Sequence, residues 1–277
     1  MRKGRCFQRP FSCIQAILAF PETKRFGRGE RMFGEVWMTN TVLLNNIDHH
    51  DLRAAIRHGA EFGDSVNQML VFPTEFEEIQ REFPIFFRRD GEGSYQAVAL
   101  LGLDRDENLF LGAQGWRSHH VPTIQQRGPF SIGLQRLEGE DGIEAMIHVD
   151  LDDPRIGRDE GELLFLPQGG NTPYLDHVAR ILRAIHEGLE TEAPMFAAFE
   201  GAGLIAPVAV EIALDETARY TLPDLFTLSQ ERLAALDGAA LERLHRAGWL
   251  RLAFLIVASL GNVSRLIDLK NRKRRAG

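Results

Sequence analysis

His148 and Asp150 have the side-chain types and the spacing of two metal ligands. On a β-strand, side chains two residues apart point to the same face, so this imidazole and carboxylate would lie side by side. Such a pair and one further histidine form the facial triad of non-haem iron oxygenases. The candidates for the third ligand, His177, His186 and His245, all fall on predicted helices. The pair supports an alternative hypothesis, an oxygenase-type enzyme, while the favoured interpretation is a strand end with solvated polar residues.

The segment Gly63-Asp64-Ser65 resembles the nucleophile block of certain esterases, in which a serine on a turn is activated by a histidine base. Those enzymes also carry an Asp-x-x-His block near the C-terminus, and this sequence has none there. A turn that precedes a strand is therefore the favoured interpretation, and a hydrolase-type enzyme stays within the alternative hypothesis.

Trp116, His119, His120, Arg127 and Phe130 lie on a long connection punctuated by proline and glycine. Irregular connections on a rigid scaffold are common sites of binding residues. Trp116, His120, Arg127 and Phe130 are therefore candidate binding residues. The competing interpretation is that the two aromatic side chains close the end of a sheet.

His49 is a further candidate binding residue, although a cap or surface role before a predicted helix is the favoured interpretation. Gly91 and Gly93 flank a hairpin and do not begin a helix, so they predict no phosphate-binding loop. The sequence therefore predicts no catalytic residue, no metal site and no cofactor.

The net charge of -7 is unevenly distributed along the 277 residues. The first 31 residues carry +6 and the last eight carry +5, which leaves -18 on residues 32–269. An acidic body repels the phosphate backbone, so we expect no nucleic-acid partner. We predict a disordered basic extension over residues 1–35, with Met32 and Met38 as alternative starts, a single domain over 36–270, and a basic tail over 271–277.

The two cysteines, Cys6 and Cys13, both lie in the basic extension, which excludes a disulfide framework for the body. The apolar segment 249–260 is shorter than the roughly 20 residues of a membrane span. These features predict a cytoplasmic protein with no membrane span.

Strand-like and helix-like segments are segregated along the chain, which is typical of an α+β fold. We predict an antiparallel sheet of about six strands, with helices packed on it and a helix-rich C-terminal third. The predicted strands are 36–44, 66–72, 85–87, 96–103, 108–111, 131–137, 143–151, 207–214 and 220–226. The predicted helices are 48–57, 74–83, one that begins at Thr172-Pro173, 229–236, 239–247 and 250–270.

Several blocks, in the family's order, resemble the bacterial SapC-like family. They are His49-His50-Asp51-Leu52-Arg53, Ser65-Val66, Glu75-Phe76, Arg81-Glu82-Phe83-Pro84-Ile85-Phe86-Phe87, Ala99-Leu100-Leu101-Gly102-Leu103, Glu107-Asn108-Leu109-Phe110, Trp116, Val121-Pro122, Pro129-Phe130, Gly248-Trp249-Leu250 and Ser259-Leu260-Gly261. The sequence departs from the family pattern at Gln126-Arg127-Gly128 and at His120.

The resemblance implies a soluble protein from a family that is named for its association with bacterial surface-layer genes and has no established chemistry. We therefore expect a non-catalytic binding or accessory protein, whose partner is another protein or a small ligand. Its contact surface would be the loop from Trp116 to Phe130, together with the C-terminal helices. A secreted surface-layer component is a third hypothesis.

Overall fold

The computed structural model describes residues 40–136, 143–214 and 218–276. The strands are β1 Thr41–Leu43, β2 Arg53–Ala54, β3 Gln68–Leu70, β4 Ile85–Arg89, β5 Tyr95–Leu100, β6 Leu111–Gly112, β7 Gly115–Trp116, β8 Phe130–Arg136, β9 Ile143–Asp150, β10 Ile156–Gly157, β11 Glu162–Leu163, β12 Ile205–Ala213 and β13 Arg219–Leu228. The α-helices are α1 Phe76–Ile79, α2 Thr123–Gln126, α3 Pro173–Gly201, α4 Gln230–Ala234, α5 Gly238–Arg246, α6 Trp249–Ser259 and α7 Val263–Ala276. Short 3-10 helices cover Ala60–Phe62, Pro73–Glu75 and Leu260–Asn262.

The α+β class is confirmed, and the strands are divided among several antiparallel sheets. The largest sheet has five strands in the order β12-β13-β4-β5-β3. A second sheet has the order β1-β9-β8, a third has the order β10-β2-β11, and β6 pairs with β7. The predicted helices after Ser229 are confirmed as α4 to α7, which makes the C-terminal part rich in helix. The basic extension predicted for residues 1–35 lies outside the described residues.

Two hydrophobic cores and one small cluster, Phe72 with Ile181 and Ile185, lie beneath these sheets in the described residues, and α3 contributes to all three. The larger core contains Phe76, Phe87 and Phe199 and is covered by the C-terminal helices. The smaller core contains Phe130 and Leu175 and lies against the sheet formed by β1, β9 and β8. A helix of 29 residues spans about 43 Å, which is long enough to connect the two cores.

Local sequence signals account for the start of α3. Thr172 accepts a hydrogen bond from the backbone N–H of Leu175 at 3.3 Å, and Pro173 occupies the first helical position, where a missing N–H has no cost. Gly188 lies where a Cβ atom would come within 2.5 Å of the Cβ of Phe72, so a glycine is needed for this close approach.

The predicted helix over 48–57 is wrong. The side-chain oxygen of Asn45 accepts hydrogen bonds from the backbone N–H groups of Ile47 and Asp48, and this Asx turn competes with helix formation. The chain then enters β2, which pairs with β10 and β11.

The strand predicted over 108–111 is also wrong. The side chain of Asn108 bonds the backbone N–H of Phe110 in a turn, and β6 then pairs with β7 in a separate ribbon. The strand that pairs with β5 on the side away from β4 is β3, which precedes both strands in the chain.

Glu192 is a partly buried acid on α3 that links this helix to the large sheet. Its Oε1 accepts a hydrogen bond from the backbone N–H of Ala97 at 3.0 Å. Burial raises the pKa of Glu192 to about 7; the Ala97 N–H opposes this rise, and the nearby Asp90 adds to it. A raised pKa means that the folded state holds a proton that the unfolded state has lost, so this group reduces stability as the pH rises.

We expect Glu192→Gln to leave the free energy of unfolding unchanged at about pH 4 and to raise it by about 2 kcal/mol at about pH 8. The sign follows because the ordinary pKa is 4.5 and the folded value is about 7, so the cost of ionisation grows between these values. The amide keeps an acceptor for the N–H of Ala97. Urea unfolding of both proteins across this pH range checks the prediction, and a constant difference at all pH values would contradict it.

Candidate functional site

The indole of Trp116 points into the protein and contacts a buried carboxylate. Its Nε1 donates a hydrogen bond to Oδ1 of Asp64 at 2.7 Å, and Asp64 is fully buried. The other oxygen of Asp64 accepts a hydrogen bond from the backbone N–H of Gly59 at 2.7 Å. The ring of Trp116 also meets Phe83 edge to face, with centroids 6.4 Å apart. Trp116 therefore joins the 59–64 turn to the larger core.

The same carboxylate lies near a histidine, which is the arrangement that a hydrolase needs. Nδ1 of His58 is 3.5 Å from Oδ2 of Asp64, a distance at the outer limit of hydrogen bonding. The hydroxyl of Ser65 donates a hydrogen bond to the backbone oxygen of Asp106 at 2.8 Å. The predicted Gly63-Asp64-Ser65 turn is thus held by structural contacts on both its acid and its hydroxyl.

His120 is held by a second buried acid. Its Nε2 lies 2.8 Å from Oε2 of Glu75, and the same oxygen accepts a hydrogen bond from the backbone N–H of Thr123 at 2.9 Å. The other oxygen of Glu75 accepts a hydrogen bond from the backbone N–H of Phe72 at 3.2 Å. One carboxylate therefore fixes the loop before α2 to the 3-10 helix that precedes α1.

Arg127 and Phe130 form the far end of the loop, and both lie in the interior. Nη1 of Arg127 donates a hydrogen bond to the backbone oxygen of Phe130 at 3.0 Å. Burial, together with the neighbouring charge of Arg155, lowers the pKa of Arg127, while Asp153 opposes that effect. Phe130 is fully buried and meets Tyr174 edge to face.

A buried ion pair completes this end of the loop. Arg155 donates hydrogen bonds from Nε and Nη2 to the two oxygens of Asp153, at 2.9 and 2.7 Å. Burial by itself would raise the pKa of Asp153, but the hydrogen bonds from Arg155 hold it below its ordinary value. The guanidinium of Arg155 also lies over the ring of Phe62.

The four loop candidates therefore contact the interior through the groups that were expected to bind a ligand. Trp116 is bonded to Asp64, His120 to Glu75, and Arg127 to the backbone of Phe130, whose own ring is buried. The residues that the sequence analysis missed are these acid partners. They lie 52 residues from Trp116 and 45 residues from His120, so no local pattern could connect them.

His148 and Asp150 occupy neighbouring positions on one face of β9, as their spacing predicted. Oδ1 of Asp150 accepts hydrogen bonds from the backbone N–H groups of Asn40 and Asp152, both at 3.1 Å. The ring of His148 lies against Gly133 on β8, where a Cβ atom would come within 2.5 Å of the imidazole. In residues 40–136, 143–214 and 218–276, no group of three histidine, cysteine, aspartate or glutamate side chains is arranged to hold a metal ion.

His49 lies within the turn that replaces the predicted helix. It is buried, and its Nδ1 accepts a hydrogen bond from the backbone N–H of Asn45 at 3.1 Å. This contact closes the turn and leaves the adjacent Ile47 pointing outward, with 81% of its surface exposed.

Ile47 belongs to a small group of exposed apolar side chains, which we call the apolar turn patch: Leu43, Ile47 and Leu166. Leu43 and Leu166 are each 37% exposed. The turns that carry Ile47 and Leu166 are neighbours, because a Cβ atom on Gly169 would lie 3.8 Å from the side chain of Asn46. Exposed apolar side chains on neighbouring turns are a feature of protein contact surfaces.

An open recess of about 230 Å³ lies beside β10. Its charged lining is largely paired, since Arg57 contacts Glu160 and Arg158 contacts Asp51. The lining residues are Ala55, Arg57, Pro154, Arg155, Ile156, Gly157, Arg158, Asp159 and Glu160. These ion pairs would compete with any charged ligand.

The antiparallel sheets, the C-terminal helices and the inward-facing loop define an α+β protein whose buried polar groups hold its connections in place. A family model described as SapC matches residues 44–266. The chain belongs to the SapC family, as the ordered sequence blocks indicated. No curated protein and no solved structure matches the chain.

Proposed function

We propose that this SapC-family protein is a non-catalytic binding or accessory protein of the bacterial cytoplasm, and that its partner is another protein. The observation that carries the proposal is the contrast between the loop and the apolar turn patch. The polar candidates of the loop bond to the interior, whereas Ile47 stands 81% exposed on a turn that His49 fixes from inside.

The charge of the protein indicates the character of that partner. Residues 32–269 carry a net charge of -18, and Asp48, next to Ile47, is exposed. A partner with an apolar centre and a basic rim would match both the apolar side chains and the negative charge of this surface. Long-range attraction would mainly raise the association rate, and the apolar contact would supply affinity.

Affinity capture with matched variants tests the proposal. The tagged wild-type protein should retain a defined protein that Ile47→Glu no longer retains, because a charge at the centre of an apolar contact is costly to bury. Ile56→Glu is the control, since Ile56 is 65% exposed but lies outside the patch. Capture that is equal for the wild type and Ile47→Glu, or that is lost equally in both variants, would contradict the proposal.

The alternative proposal is an enzyme of oxygenase or hydrolase type that uses His148 and Asp150. Their placement on one face of β9 favours it. Metal analysis of the purified protein separates the two proposals. Iron at near one atom per chain, lost in both His148→Ala and Asp150→Ala, would support the enzyme and overturn the binding protein.

A further inference from the structure

The C-terminal helical segment is rich in apolar residues and is only partly buried. The stretch Trp249–Ala276, which comprises α6, a 3-10 turn and α7, is 28 residues long and, by length and composition alone, could cross a membrane. Only 28% of its most apolar window is buried. The apolar segment predicted from the sequence is therefore part of a longer helical element.

The buried side of this element is fixed to the protein. Ile256 and Leu266 are fully buried in the larger core. The hydroxyl of Ser259 accepts a hydrogen bond from the backbone N–H of Ile85 at 2.9 Å, and Lys270 contacts Glu107 at 2.8 Å. Because these contacts hold both halves of the element, it can lie on a membrane but cannot cross one without leaving the core.

The outward side of α6 is apolar apart from Arg251, whose guanidinium contacts Glu77. Phe254 is 55% exposed and is the largest apolar side chain on this side. Ala258 follows one turn later and is also exposed, while Leu250 and Val257 are partly exposed on either flank. A half-exposed phenylalanine between aliphatic neighbours is suited to shallow insertion among acyl chains.

The end of α7 is basic. The cationic side chains of its last turns that are exposed are Arg272, Lys273, Arg274 and Arg275. Arg272 on α7 and Phe254 on α6 are both exposed, whereas Ile256 and Leu266 of the same two helices are buried, so both side chains face away from the larger core. Lys273 contacts Glu107 at 2.9 Å, so the positive charge of this end comes mainly from its exposed arginines. Their attraction to an anionic surface is screened over about 10 Å at about 0.1 M salt, so it acts at close approach.

We propose that the outward side of α6 and the basic end of α7 together dock on an anionic lipid surface, with the element lying in the plane of the membrane. Phe254 enters the boundary between headgroups and acyl chains. The arginines contact the phosphate and carboxylate groups of the lipids. Neither feature suffices alone, since stable attachment to a membrane needs two signals.

Vesicle sedimentation of the full chain tests this proposal. We expect binding to phosphatidylcholine vesicles that contain about 30% phosphatidylglycerol and little binding to phosphatidylcholine alone. Phe254→Ser should weaken binding about tenfold, and the double variant Arg272→Gln/Arg275→Gln about thirtyfold. Both changes are at exposed positions, and thermal unfolding confirms that the variants remain folded.

Matched controls separate this docking from non-specific adsorption to vesicles. Ile56→Ser removes a similarly exposed apolar side chain, 65% against 55% for Phe254, at a position outside both surfaces, and Arg246→Gln removes an exposed arginine from α5; neither should change binding. Equal binding of wild type and Phe254→Ser, or no binding of wild type to anionic vesicles, would overturn the proposal. Binding of single-stranded RNA that survives Phe254→Ser would assign the basic end to nucleic acid and also overturn it.

Discussion

Phe130→Ala is expected to lower the free energy of unfolding by about 4 kcal/mol. Phe130 is fully buried in the smaller core, at the start of β8, and its ring meets Tyr174 with centroids 6.3 Å apart. Truncation removes the ring from these contacts and leaves a cavity that the surrounding strands can only partly fill. Guanidinium unfolding, followed by circular dichroism, measures the loss.

The chain offers a matched control for this substitution. Phe254→Ala removes the same ring from an exposed position and should change the free energy of unfolding by no more than about 0.5 kcal/mol. Similar small effects of both substitutions would show that the ring of Phe130 is not part of the core, and would return it to the set of binding candidates.

Lys270→Met is expected to lower the free energy of unfolding by about 3 kcal/mol at neutral pH. Nζ of Lys270 lies 2.8 and 2.9 Å from the oxygens of Glu107, and both residues are buried. Burial by itself would raise the pKa of Glu107, but the hydrogen bonds from Lys270 and Lys273 hold it below its ordinary value. Without Lys270, the carboxylate loses its buried partner and retains Lys273 and the backbone N–H groups of Leu103 and Asp104.

The pH dependence of this loss has a defined sign. A depressed pKa stabilises the folded state above the ordinary value, and this stabilisation disappears as the pH falls through the folded value. The difference between wild type and Lys270→Met should therefore shrink as the pH falls below the ordinary value of 4.5 and through the lowered value of the folded wild type. The double variant Lys270→Met/Glu107→Gln should recover part of the loss at neutral pH.

Lys273→Met is the control for charge alone. Its side chain is 62% exposed, so its contact with Glu107 should contribute less than about 1 kcal/mol. An equal loss in the two single variants, or a loss in Lys270→Met that does not change with pH, would contradict the buried ion pair.

The sequence predicted best those elements that are encoded locally. The Thr172-Pro173 pair marks the start of α3, and the Asp90-Gly91 turn joins β4 to β5, where the side chain of Asp90 accepts two backbone hydrogen bonds. The Asx turn at Asn45 is also local, and it replaces the helix that the following residues predicted over 48–57. The wrong helix prediction shows that a side chain that accepts two backbone hydrogen bonds can override helix propensity.

The contacts that fix the loop from Trp116 to Phe130 could not be predicted, because their partners are distant in the sequence. Glu75 and Asp64 become buried only when the sheets assemble, and a buried carboxylate needs the partners that the loop supplies. The candidate residues Trp116, His120 and Arg127 all take part in these contacts. Their polar groups form hydrogen bonds with residues inside the fold.

The central claim is that this SapC-family protein binds another protein through the apolar turn patch. The most direct measurement is the dissociation constant for the captured partner, by titration calorimetry, with wild type, Ile47→Glu and Ile56→Glu. Ile47→Glu should bind about thirtyfold more weakly, while Ile56→Glu should bind as wild type does. Equal affinity of wild type and Ile47→Glu would contradict the claim.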